Sequence, residues 1–257
     1  MPDTVTQALA ITDAEWKARV NLAAAFRLVD LYGWSDMLAT HLSARIPGTS
    51  EHFLINPVGI MFDEMTASCL VKVDIEGNIL SDSEFGINPA GYTIHSAVHM
   101  GRMDAGCVMH THTAAGLGVA TQKTGLLPLT QMALAVIAQT AYHNYEGPAF
   151  DLEERDRLIE DLEDKNVLIL RNHGLLTVGK TVAEAFVWLF RAERACRFQL
   201  SFQQAGAEAT EIPKEIQDVS IERTRKAISA SGHRPIGQFE WPALLRKLNR
   251  ENPGYDN

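Results

Sequence analysis

The stretch 167–178 limits what this chain can fold into more than any other. It reads Val-Leu-Ile-Leu, then Arg-Asn-His-Gly, then Leu-Leu-Thr-Val. Two apolar runs of four residues, parted by Asn172-His173-Gly174, predict buried strands joined by a tight turn. A third apolar run, 106–112, reads as another largely buried strand that ends in His-Thr-His. Strands of this kind need helices packed over them, and the rest of the chain supplies helical periodicity.

The first helix begins at Thr12, where Thr12 and Glu15 have capping-box spacing. Trp16, Val20, Ala23, Phe26 and Val29 then recur at helical intervals, and Gly33 closes the helix where a left-handed residue is cheap. Extended runs follow at 42–46, 52–55 and 70–75, with Glu76-Gly77 turning the last into a hairpin over 78–80. Helices are predicted at 93–100, 114–121, 152–162, 181–202, 214–230 and 242–248. In the long one, Trp188, Phe190, Phe198 and Leu200 read as packing residues. Gly116 and Gly118 likewise suit close packing. There is no internal repeat, so the expectation is an α/β domain over 1–210, with 211–257 a helical extension of the same unit.

Charge and cysteine use narrow the function classes. Lys+Arg 23 against Asp+Glu 32 gives a net charge of −9, which lacks the basic footprint of a nucleic-acid or anionic-membrane binder. Three scattered cysteines, Cys69, Cys107 and Cys196, do not make a disulfide framework. No secretory leader and no run of eighteen apolar residues is read, so the expected compartment is the cytoplasm and no membrane partner is expected.

His110 and His112 stand two apart at a strand end, so both rings project from one face. Nine histidines in 257 positions give about 0.3 such pairs by chance, so the pair alone is weak evidence for a metal. His173 sits in the turn after the strand 167–170. Three histidines at the ends of buried strands form a set that leaves one coordination position open. No dinucleotide fingerprint, Walker loop, nucleophile elbow or His-Glu-x-x-His competes with it.

The strings Gly106-Cys-Val-Met-His-Thr-His-Thr113 and Leu168-Ile-Leu-Arg-Asn-His-Gly-Leu175 resemble the class II aldolase/adducin family over about residues 16–205. The resemblance implies a three-layer α/β/α fold around a mostly antiparallel sheet. It also implies a homotetramer with its active site at a subunit boundary. His110, His112 and His173 would hold a divalent ion, zinc first, with manganese, iron or cobalt as alternatives. The family's acid/base Glu falls at Gly91, four residues before His95, and its two phosphate-loop serines fall at Pro89 and Ala90. Its Gly-Asn-x-Ser becomes Thr40-His41-Leu42-Ser43. Gly33-Trp34-Ser35, Glu51–Pro57, Thr66–Ser68 with Leu70–Lys72, and Asn88–Ser96 resemble the adducin-head branch, without an adducin's basic tail.

The expected activity is therefore a metal-dependent carbon–carbon lyase, by retro-aldol cleavage or decarboxylation, on a non-phosphorylated hydroxy-carbonyl or aromatic small molecule. Tyr92 and His95 are the expected proton-transfer residues, and His41, Asn88 and Gly91 the expected substrate-binding positions. Glu84 reads as a solvated loop carboxylate. Gly91 leaves space for substrate, water or a neighbouring group. The competing class is a non-catalytic scaffold that keeps the histidines.

Overall fold

Capping fixes where the main helices begin. Thr12 accepts the Glu15 N–H and starts α1 (Asp13–Leu31); Gly33 beyond its end takes φ 70°. The computed structural model describes residues 11–147, 152–229, 231–232 and 235–257. Strands β1 (His41–Arg45), β2 (His52–Ile55), β3 (Val71–Asp74), β4 (Cys107–Thr111), β5 (Thr140–His143), β6 (Val167–Leu170) and β7 (Gly174–Gly179) form one sheet. Their order is β3-β2-β1-β4-β7-β6-β5. Neighbours are antiparallel except β5 and β6, which run parallel.

Helices cover both faces. Leu42 and Met109 point to the side of α1, where they join Leu22, Phe26, and Phe186 of α6 (Val182–Ala205). Val108, Leu168 and Leu176 point the other way. There they meet Ile94 and Val98 of α2 (Pro89–Gly101) and Leu158 of α5 (Glu154–Leu162). The sheet between two helical layers is the three-layer fold that the family resemblance implies. A buried ion network ties α1 to β3: Glu15 accepts from Arg19 at 2.9 Å and from Lys72 at 3.0 Å, while Arg19 also donates to the carbonyls of Ala67 and Leu70.

Three sequence expectations need correction, and one stretch was unread. Helix α2 starts at Pro89 rather than residue 93, because Asn88 caps the Ala90 N–H and proline suits the first helical position. The apolar stretch 132–141 holds two unread elements, α4 (Gln131–Ile137) and the start of β5. Residues 78–80 form a single bridge, Val73 to Ile79, rather than a strand. Phe198 is exposed, while Trp188 is buried as expected. Beyond α3 (Ala114–Ala120) and α6, the chain continues in α7 (Lys214–Ile228), none of whose residues is buried. Helix α8 (Glu240–Glu251) returns Trp241 and Leu248 to the core.

Candidate metal centre

Register brings the histidines together. His110 faces Leu176 across the β4–β7 pair, and β6 and β7 are joined through the turn that carries His173. Gly174 permits that turn, since a Cβ there would lie 2.4 Å from the Thr111 carbonyl oxygen. One ring nitrogen from each of His110, His112 and His173 lies within 4.8 Å of the other two. Sequence alone leaves His173 separated by more than sixty residues; the β4–β7 ladder closes that distance.

The proton positions follow from the partners. His110 Nδ1 is 3.0 Å from the Leu175 carbonyl, which can only accept, so His110 carries its proton there. His112 Nδ1 is 3.0 Å from an Asp36 carboxylate oxygen and donates in the same way. With one proton on each ring, held at Nδ1, the Nε2 atoms are left as acceptors, and these two atoms are 2.9 Å apart. Facing lone pairs repel unless a cation or proton lies between them. The donor set therefore fits a divalent ion, with Leu175 and Asp36 orienting the ligands from behind. Burial disfavours the charged form of two of these rings: His173 is lowered to about 4, chiefly by desolvation and then by His112 and His143. His110 is held well below the usual histidine value by burial and by its histidine neighbours.

More histidines lie alongside. His41 on β1 is the cross-strand partner of His110, and their rings stack with centroids 6.0 Å apart. His95 and His99, one turn apart on α2, are both fully buried. Ser43 Oγ lies 2.6 Å from His95 Nδ1 and 2.8 Å from His99 Nε2. Both His41 nitrogens and His95 Nε2 are buried without a partner. Burial lowers His41 to about 4, with the nearby His112 and His173 adding to the effect.

The remaining expected site positions fall as follows. Gly91 is buried against His41, and a Cβ there would lie 2.4 to 2.7 Å from three atoms of that ring. The space beside Gly91 is thus taken by a neighbouring imidazole. Asn88 uses its side-chain oxygen to cap α2. The Tyr92 hydroxyl donates to the Ile75 carbonyl at 2.5 Å, and its ring packs beside Phe53, Ile55, Val71 and Val73. Glu84 is exposed, as expected. Sequence reading missed Asp36, Ser43 and His99 as site residues; the i, i+4 spacing of His95 and His99 was the available signal.

The model of the class II aldolase and adducin N-terminal domain matches residues 20–200. The chain belongs to that family. An aldolase class 2 family protein of Caulobacter vibrioides is 53% identical over 95% of this chain and 94% of its own length. Rat alpha-adducin is 40% identical over 97% of this chain, but only 35% of adducin is covered. Among solved structures, an aldolase II superfamily protein from Pseudomonas syringae superposes with TM-score 0.89 at 48% identity, covering 96% and 98% of the two chains. An L-fuculose 1-phosphate aldolase from Glaciozyma antarctica superposes with TM-score 0.79 at 26% identity, covering 97% and 94%. These matches agree with the mixed, mostly antiparallel sheet described above. No helix of the described residues is long and apolar enough to cross a membrane.

Proposed function

We propose that this class II aldolase-family protein is a divalent-metal-dependent carbon–carbon lyase acting on a small, non-phosphorylated hydroxy-carbonyl compound. The observation that carries the reading is the convergence of the His110 and His112 Nε2 atoms, 2.9 Å apart, with His173 completing the set. His110, His112 and His173 would hold the ion, zinc by preference for imidazole, with manganese, iron or cobalt also suited to the ligands. When bound, such an ion supplies Lewis acidity to a substrate oxygen.

The chain's own residues divide the remaining work. A neutral imidazole beside the centre takes the proton of a substrate hydroxyl; the C–O bond becomes C=O as the adjacent C–C bond breaks. The released electron pair passes to the neighbouring carbonyl, and the imidazolium returns its proton to carbon. The role is assigned to His41, with the buried His95 behind it. Tyr92 has its hydroxyl engaged at Ile75, and Asn88 shapes the entry to α2. Pro89 and Ala90 offer no hydroxyl donors at that helix start, which supports a substrate without a phosphate. The proposed assembly is a homotetramer that places the site at a subunit boundary. Light scattering that returns the mass of a single chain would overturn that part.

Metal content and turnover test the function together. Purified protein is expected to bind about one zinc per chain, His173→Ala to lose most of it, and the zinc-loaded protein to cleave small hydroxy-ketones. Full metal content in His173→Ala would sink the site. A zinc-loaded protein inactive on hydroxy-carbonyl and aromatic carboxylate panels would favour a scaffold role, a reading supported by the 40% identity to alpha-adducin.

A further inference from the structure

The hydrogen-bond relay behind the metal centre has a fixed direction, and that direction says what each buried histidine can do. It begins at the Ala105 carbonyl, which can only accept. His99 Nδ1, 3.2 Å away, therefore carries the proton, and its Nε2 is a lone pair. Ser43 must then donate its hydroxyl hydrogen to His99 Nε2 at 2.8 Å. With that hydrogen committed, Ser43 Oγ accepts from His95 Nδ1–H at 2.6 Å. His95 is consequently an Nδ1–H tautomer whose Nε2 is a bare acceptor, and that atom is buried with no partner. Burial holds His95 and His99 neutral, His99 at about 3 with Arg45 beside it, so neither ring has a spare proton to alter this pattern.

The ring packed against His95 is His41, and its two buried nitrogens are uncommitted. His110 gives its N–H to Leu175, and His112 gives its N–H to Asp36. His41 stands edge-on to His95 with ring centroids 5.8 Å apart, and both of its nitrogens lack partners. A buried polar atom left without a partner is costly, so a match between the two rings settles two of the three unpaired atoms.

We propose that Ser43 and His99 are positioning residues: they hold His95 as its Nδ1–H tautomer, so that His95 Nε2 receives the N–H of His41. The second nitrogen of His41 is then a bare acceptor for a substrate hydroxyl beside the three-histidine centre. That last step rests on the lyase reading; the relay itself does not. The packing at Gly91 contributes, because the missing Cβ is what lets the His41 ring lie there. The arrangement selects ligands that bring a hydrogen to this point, such as a neutral alcohol, over carboxylates and phosphates.

The test uses full-length protein labelled with nitrogen-15 at histidine, with ring tautomers read from long-range proton–nitrogen spectra. In the wild type, His95 should be protonated at Nδ1 alone. His99→Phe removes the acceptor for Ser43 while keeping the ring stacked on Phe53, whose centroid is 4.8 Å away. The Ala105 carbonyl keeps the Arg45 Nε–H at 3.3 Å. In that variant the Ser43 hydroxyl turns to His95, which should switch to the Nε2–H tautomer, a donor where an acceptor stood. His99→Gln, which retains an acceptor oxygen, should restore the wild-type pattern. An unchanged His95 tautomer in His99→Phe overturns the relay.

The functional arm measures deuterium exchange at the C–H of dihydroxyacetone in heavy water, with zinc-loaded protein. His99→Phe should lower kcat by about tenfold or more with KM and zinc content nearly unchanged, and His99→Gln should recover most of the loss. A switched tautomer with unaltered exchange overturns the role assigned to His41. Absence of exchange in the wild type counts against the lyase reading, and the tautomers still decide the relay.

Discussion

Position 91 and the His41 ring share one volume, and a double-mutant cycle can measure how strictly. An alanine Cβ at residue 91 would lie 2.4 Å from His41 Cδ2, 2.6 Å from Cγ and 2.7 Å from Nε2, all closer than real Cβ contacts. His41 is only 3% exposed, so its ring has little room to retreat. Gly91→Ala should therefore destabilise the fold by about 1–3 kcal/mol, the usual range for overpacking a full site. Residue 91 is also the third residue of α2, where alanine is favoured over glycine by about 0.5–1 kcal/mol once the clash is gone. In a His41→Ala background, the same substitution should be neutral or stabilising. The sign of the effect should thus reverse, giving a coupling of about 2 kcal/mol. Urea titration of the four proteins measures it, and melting should follow by about 2–4 °C per kcal/mol. Equal destabilisation by Gly91→Ala in both backgrounds would refute the claim that His41 fills this space.

Three further outcomes can be checked. Glu15→Ala strands Arg19 and Lys72, which are 2% and 8% exposed, and should cost about 3–5 kcal/mol in urea unfolding; a loss below about 1 kcal/mol would show the network to be dispensable. Burial lowers His99 in the folded chain to about 3, below the ordinary histidine value of 6.5, so the unfolded chain binds the extra proton first. Stability supplied by neutral His99 is whole above pH 6.5 and falls by up to about 1.4 kcal/mol per unit as pH drops toward 3, a slope that His99→Phe should reduce. Tyr92→Phe removes the bond to the Ile75 carbonyl and should cost about 1 kcal/mol while changing turnover less than tenfold; a loss of two orders of magnitude would return Tyr92 to the reacting atoms.

The sequence by itself determined the elements whose signals are local. Thr12 and Glu15 mark the start of α1 because a cap is a contact three residues long. The strand 167–170 is legible because a short, fully apolar run bounded by turn residues has few other homes. The His-x-His pair follows from the two-residue period of a strand, and the turn histidine is recognisable through the family resemblance. Other features depended on partners far along the chain. Residues 131–143 became α4 and β5 only where α6 and β6 offered surfaces to them, and sequence periodicity gave no sign of a parallel edge strand. Asn88 and Pro89 could have marked the true start of α2, but the apolar pattern begins later. Asp36, Ser43 and His99 joined the site through packing of a turn, a strand and a helix that are remote in sequence. The space at Gly91, open on sequence to substrate, water or a neighbouring group, went to His41 for the same reason. A glycine shows that a side chain is missing, whereas the pairing of β1 with β4 decides which neighbour takes the space.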